Sequence, residues 1–279
     1  MPKIILSRKG FDSSAGGKPS FLWNDKLYSI PVPQAYSEVA YKKLQIDENI
    51  SYWKIMEDVG ITQYSDAHLD PDLRKEVLQR ENDPWLPIFG QADSALTHLL
   101  NEGVGEGDLF LFFGWFKEIE QLENGNFSHI KGKPDLHVIY GFLEVGEYFD
   151  VYEGKEHDNP AVQQHIHHQR KDRYTVPGKN GLFIGSGEPT FFKRKAGLFK
   201  FDKKLILTES GESRSNWLLP RCFFKDDGRC KLSHHKEKVG ELANDDSYRI
   251  KSVARGQEFV AEMDDDIREW VETLKDLVI

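Results

Sequence analysis

The stretch Leu109-Phe110-Leu111-Phe112-Phe113-Gly114-Trp115-Phe116 is the most apolar run in the chain, and its length decides what it can be. It falls far short of the ~20 residues a helix needs to cross a bilayer. The run therefore belongs inside a folded protein. Read as a strand over 108–116, it pairs with a second apolar stretch, Leu136 to Val145. The polar loop between them, with Asn124-Gly125-Asn126, predicts an antiparallel pair.

Other elements group around that pair. Lys3 to Ser7 reads as an opening strand, and Asn24-Asp25 as a hairpin turn before a strand at Lys26 to Ile30. Pro31-Val32-Pro33 stops that strand. Leu182 to Ile184 and Leu205 to Thr208 read as shorter strands. Asp70 as N-cap with Pro71 behind it predicts a helix to about Arg80, and a second helix runs from Asp93 to Gly103. At the C-terminus Ile267, Trp270, Val271, Leu274, Leu277 and Val278 recur at helical spacing, with Asp264, Asp265 and Asp266 at the N-terminal end. The expected architecture is one α+β domain over 1–279. It has a mixed, mostly antiparallel sheet and flanking helices, the last of them amphipathic.

Hydrophobic residues make up 39% of the chain and aromatic residues 12%, enough apolar area to exclude a disordered protein. Only Cys222 and Cys230 are present and no signal segment opens the sequence, so a reducing cytoplasm is expected and a membrane is not. The formal charge of −9 argues against a protein that coats nucleic acid through bulk positive charge. It leaves room for one basic face. Arg170 to Arg173, Lys193 to Lys204 and Arg229 to Lys238 are basic clusters.

Five segments carry candidate chemistry. Ser7-Arg8-Lys9-Gly10-Phe11-Asp12-Ser13-Ser14-Ala15-Gly16-Gly17 follows a strand with cations, a carboxylate, hydroxyls and glycines, a combination that suits an anion. It is neither a P-loop nor a dinucleotide fingerprint. A tight turn capped by Asp12 or Ser13 is its bland alternative. Asp66-Ala67-His68-Leu69-Asp70-Pro71-Asp72 clusters carboxylates around an imidazole, a set that suits a hard cation, but helix capping by Asp70 and the first-turn dipole at Asp72 account for it more simply. His165-Ile166-His167-His168 offers substrate-facing histidines. Cys222 and Cys230 do not have zinc-ligand spacing, so no metal and no cofactor is assigned. Trp217 beside Arg214 and Arg221 reads as an exposed stacking platform, and Arg255-Gly256-Gln257-Glu258-Phe259 combines a cation, an amide and a carboxylate.

The opening Ile4 to Ser13 with Gly16-Gly17 resembles the nucleotide modification associated domain 3 family. So do Phe89-Gly90-Gln91, Gly107-Asp108-Leu109-Phe110-Leu111-Phe112-Phe113-Gly114, His165 with His167, Trp217-Leu218-Leu219-Pro220 and Arg255 to Phe259. The resemblance spans almost the whole chain. It implies a substrate class, DNA carrying modified bases of the phage type, more firmly than a reaction.

Among reactions, a DNA glycosylase in anti-phage defence fits best. Asp12 is the expected carboxylate, with His167 or Glu258 assisting the leaving base. Arg8, Lys9, Ser13, Gly16 and Gly17 are expected at flanking phosphates. Gln91, Asp108, His165, Trp217, Arg255 and Gln257 complete the expected substrate contacts. The alternatives are a transferase that installs a base modification and a non-catalytic reader. The reader is prompted by Gly107 to Phe110 and Val138 to Gly141, which resemble small PUA-like barrels.

Overall fold

A computed structural model describes the chain apart from residues 36, 38, 81–84 and 254–257. Its centre is a sheet whose main path places six strands side by side: Glu258–Glu262, Lys3–Arg8, Leu109–Gln121, Leu136–Asp150, Asn180–Gly185 and Ile88–Ala92. Lys3–Arg8 runs parallel to Leu109–Gln121, and the other neighbours on the path are antiparallel. The mixed, mostly antiparallel sheet is therefore as expected. The Leu109–Gln121 strand is flanked on both edges and buried over its first six residues, which is why its sequence is a near-continuous apolar run rather than an alternating one.

The sheet curls. Register slips at Phe112/Phe113 and at Ile184/Gly185, and such bulges bend a strand and sharpen its twist. The two outermost strands of the path consequently approach each other. Gln91 on one donates to Glu258 on the other, Nε2 to Oε1, at 2.6 Å. The helix Asp93–Asn101 packs against both strands. Inside the curl Phe89, Phe110, Phe112 and Phe183 form a buried aromatic cluster with ring centroids 5.0–5.8 Å apart. Each such ring contributes roughly 1.5–3 kcal/mol through burial.

The hairpin at Asn24-Asp25 forms, both residues adopting positive φ between Ser20–Trp23 and Lys26–Tyr28. The C-terminal helix covers Asp265–Glu272, its N-cap Asp264 accepting from the Ile267 N–H, and tightens to a 3₁₀ turn at Lys275–Leu277. Two expectations fail. No α-helix follows Asp70: its carboxylate accepts from the Gly90 N–H at 2.7 Å, and the Asp72 backbone exchanges hydrogen bonds with Ile88. Only a 3₁₀ turn, Lys75–Val77, forms there. Leu205 to Thr208 is not a strand either. Leu205 ends a 3₁₀ turn, while Ile206 and Thr208 make isolated bridges to Val138 and Trp217. No helix among the described residues is long and apolar enough to cross a membrane.

Candidate functional site

The Ile88–Ala92 strand separates two groups of polar side chains, because successive residues of a strand face opposite ways. Phe89 and Gln91 face the interior of the curl. There Lys9 donates to Glu258 Oε1 at 2.9 Å and sits 4.4 Å from the centre of the Phe89 ring. Glu258 is 1% exposed, and its Oε2 has no hydrogen-bond partner. Lys9, Gln91 and Glu258, three of the expected site residues, thus come together as a buried network that ties the edge strands.

Gly90 faces the other way, against His167. On that side four side chains converge: His68, Asp70, His165 and His167. One Asp70 oxygen, Oδ2, lies 3.7 Å from His68 Nε2 and 3.8 Å from His167 Nε2; the other, Oδ1, lies 3.5 Å from His165 Nε2. The ligand atoms of His68, Asp70 and His167 all fall within 4.8 Å of one another. His167 is locked by Asn180, whose Oδ1 lies 2.6 Å from His167 Nδ1 and whose Nδ2 donates to the His167 carbonyl at 3.0 Å. That second bond fixes the Asn180 amide, so Nδ1 of His167 carries the proton and Nε2 presents a lone pair. Gln34 stands behind His68; with its amide turned so that the oxygen accepts from the Arg170 guanidinium, its nitrogen donates to His68 Nδ1 at 2.6 Å.

The electrostatics follow from burial. Desolvation pushes the His167 imidazole down to about 3, against the pull of Asp70, and keeps the ring neutral. Burial alone would raise the Asp70 carboxyl. The three imidazoles that surround the carboxylate, their Nε2 atoms 3.5–3.8 Å from it, outweigh that penalty and hold Asp70 well below the usual carboxylate range.

His165 joins this cluster to a cleft of about 770 Å³. Trp85, Arg80, Lys43 and Gln169 also line it. Trp85 Nε1 donates to Asp72 Oδ1 at 3.2 Å, and Arg80 pairs with the other Asp72 oxygen. The short helix Ile166–Gln169 and the basic turn Lys171–Arg173 follow His165 directly.

The remaining expected residues lie elsewhere. Asp12 Oδ1 accepts from Ser14 N, Ser14 Oγ and Ala15 N, each at 2.7 Å, so one carboxylate oxygen is committed to its own turn. Its other oxygen lies 3.9 Å from Arg8 Nε. Gly16 rests on the Phe11 ring, Gly17 faces open space, and exposed Ser13 accepts from Arg214, whose guanidinium stacks 3.9 Å over Trp115. Asp108 holds the start of its strand by accepting from Lys3 N and Gly105 N. Trp217 is not an exposed platform: it is 1% exposed, packed edge-on to Phe113 and Phe259, with Nε1 donating to His137 Nδ1 at 3.0 Å. Arg255 and Gln257 lie outside the described residues.

Reading the sequence set His68 and Asp70 aside in favour of helix capping, and missed Trp85 and Asn180 as site residues. The available signal was the pair of i, i+2 motifs, His68-Leu69-Asp70 and His165-Ile166-His167, which only the fold brings together.

No curated protein and no solved structure matches this chain. The profile described as nucleotide modification associated domain 3 matches residues 3–262, nearly its full length. It takes in both groups of polar side chains and ties the chain to modified nucleotides. The chain belongs to the nucleotide modification associated domain 3 family.

Proposed function

We propose that this protein acts on modified bases in DNA by hydrolysing the base–sugar bond, with the flipped nucleotide held in the cleft beside His165. The observation that carries the reading is the junction of that cleft with a buried, ionised carboxylate through one imidazole. Its volume of about 770 Å³ suits a small-molecule-sized ligand such as one extruded nucleotide. Trp85 offers a π-face, and Lys43 offers a cation for a flanking phosphate. Glycosidic hydrolysis needs a carboxylate to steady the cationic sugar or activate water, and a group to receive the departing base. Asp70, standing behind His165, supplies the negative charge, and His165 on the cleft wall gives a proton to the departing base while water supplies the hydroxyl to the sugar. Asp12, committed to its turn, is the competing carboxylate.

The test incubates the protein with unmodified DNA and with DNA carrying hydroxymethylated or glucosylated cytosine. Released base is followed by mass spectrometry and abasic sites by alkaline cleavage. Base release from modified DNA alone, abolished in Asp70→Asn and retained in Asp12→Asn, supports the reading and a role in defence against modified phage DNA. Loss in Asp12→Asn instead moves the reaction to the opening loop. DNA that is bound but left intact overturns hydrolysis and favours a reader or a donor-dependent transferase.

A further inference from the structure

We propose that His68, Asp70 and His167 form a binding site for one divalent transition-metal ion, with His165 beside it as a further donor. The simplest competing account is a carboxylate hydrogen-bonded by histidines, and the distances speak against it. Nitrogen-to-oxygen hydrogen bonds cluster at ~2.7–3.2 Å. Here three imidazole Nε2 atoms converge on one carboxylate and stop at 3.5, 3.7 and 3.8 Å. His165 Nε2 is fully buried and makes no hydrogen bond, and its residue is 7% exposed.

The orientation of His167 sharpens the point. Asn180 holds the proton on Nδ1, so a bare lone pair on Nε2 faces an anionic oxygen. Two electron-rich atoms turned towards each other in a buried site call for a cation between them. Asn180 is also the outer partner that metal-bound histidines characteristically have, since such a bond fixes ring and tautomer. Asp70 is prepared in the same way: Gly90 N–H engages Oδ1 at 2.7 Å and leaves Oδ2 to the two imidazoles.

Donor chemistry sets the class of ion. Two imidazole nitrogens and one carboxylate oxygen are borderline ligands that suit zinc, iron(II), cobalt(II) or manganese(II), whereas calcium and magnesium prefer all-oxygen shells. Bonds of ~2.0–2.2 Å to one ion bring its ligand atoms to roughly 3–3.5 Å from each other, so the three atoms, within 4.8 Å of one another here, draw in around the ion. His68 points its Nε2 proton at Asp70 when Gln34 donates to Nδ1, and ligation displaces that proton. Three protein ligands leave open positions on the ion, and His165 borders them on the cleft side. The site stands without the hydrolytic reading above; within that reading the ion shares with Asp70 the activation of water.

The test uses the full chain, stripped with a chelator, desalted and titrated with Zn²⁺ alone by calorimetry. Metal content is read after gel filtration, and Co²⁺ serves as a spectroscopic probe. One equivalent bound, weakened at least 100-fold in Asp70→Asn and in His167→Ala but unchanged in His98→Ala, is the expected result. Binding at full strength in all variants, or no binding by the wild type, overturns the proposal. If a variant fails to fold, the Co²⁺ spectrum of the wild type decides: bands of a nitrogen-ligated protein site support it, and the spectrum of the hydrated ion overturns it. Metal bound at the site without base release from DNA would count against the hydrolytic reading alone. Base release by the ion-free protein, with no Zn²⁺ bound by it, would count against the metal site alone.

Discussion

Gly90 lies flush against the imidazole of His167: a β-carbon on it would come within 2.3 Å of the ring. The glycine is required by this contact and not by its backbone, which needs no positive φ. It sits in the strand whose neighbouring residues, Phe89 and Gln91, serve the opposite face. One short segment therefore places both the interior network and the histidine cluster.

Gly90→Ala is expected to leave a folded protein that has lost the site. Asn180 holds His167 at two points, so the ring can yield only by breaking that pairing. Overpacking of this kind costs about 1–3 kcal/mol. Urea unfolding should show that loss with a native circular dichroism spectrum, while base release falls to background. Gly17→Ala makes the contrast. Its β-carbon meets open space at a φ of +67°, so it should lose about 1–2 kcal/mol and keep activity. Full activity in Gly90→Ala would show that His167 does not need its observed position.

The Lys9–Glu258 pair predicts a non-additive stability series. Glu258 is almost fully buried, and Lys9 with Gln91 supplies its two hydrogen bonds. Lys9→Met strands a carboxylate in the interior and should cost ~3–5 kcal/mol, and Glu258→Leu should likewise strand the ammonium. The double change Lys9→Met with Glu258→Leu removes both charges and should recover most of the loss. Losses that simply add in the double variant would mean that the two side chains do not act as a pair across the closing edge of the sheet.

How much of this was legible beforehand depends on whether the controlling interactions are local. The apolar run at Leu109 and the 3.6-residue periodicity after Asp264 state their own structure, and both form as read. Asp70 misleads because its sequence neighbours argue for a helix cap, whereas its actual partner, the Gly90 N–H, is 20 residues away. Trp217 misleads through its flanking arginines: the residues that enclose it, Phe113, His137 and Phe259, arrive from distant strands. For the same reason neither His68 nor His167 announces a shared site, since each i, i+2 motif holds only half of it.

Trp85 carries the prediction for substrate binding. Its indole N–H is fixed by Asp72, and the residue lines the cleft that His165 borders. Stacking of one base on an aromatic ring is worth ~1–3 kcal/mol, so Trp85→Ala should weaken binding of modified DNA by about 5- to 150-fold. Trp85→Phe should restore most of it. Fluorescence anisotropy with a labelled duplex reads this directly. Equal affinity in Trp85→Ala would place the base elsewhere and turn attention to Trp115 under Arg214.

Acid sensitivity should trace to His137. Burial, reinforced by the Arg214 and Arg8 cations, pushes this imidazole down to about 3 from an ordinary value of 6.5, and Trp217 donates to its unprotonated Nδ1. In the native state it therefore stays neutral, whereas in the unfolded chain it takes up a proton below about 6.5. Wherever the unfolded state binds more protons, stability rises with pH. The contribution is thus complete above 6.5 and is lost progressively as pH falls towards 3. His137→Phe removes the titration but leaves the Trp217 N–H without an acceptor, a cost of about 1–3 kcal/mol at neutral pH. Wild type should be the more stable at pH 7.5, and the gap should narrow or reverse by pH 4. Urea unfolding of both proteins across that range measures the difference directly. A gap that stays constant with pH would show that His137 carries no linked proton.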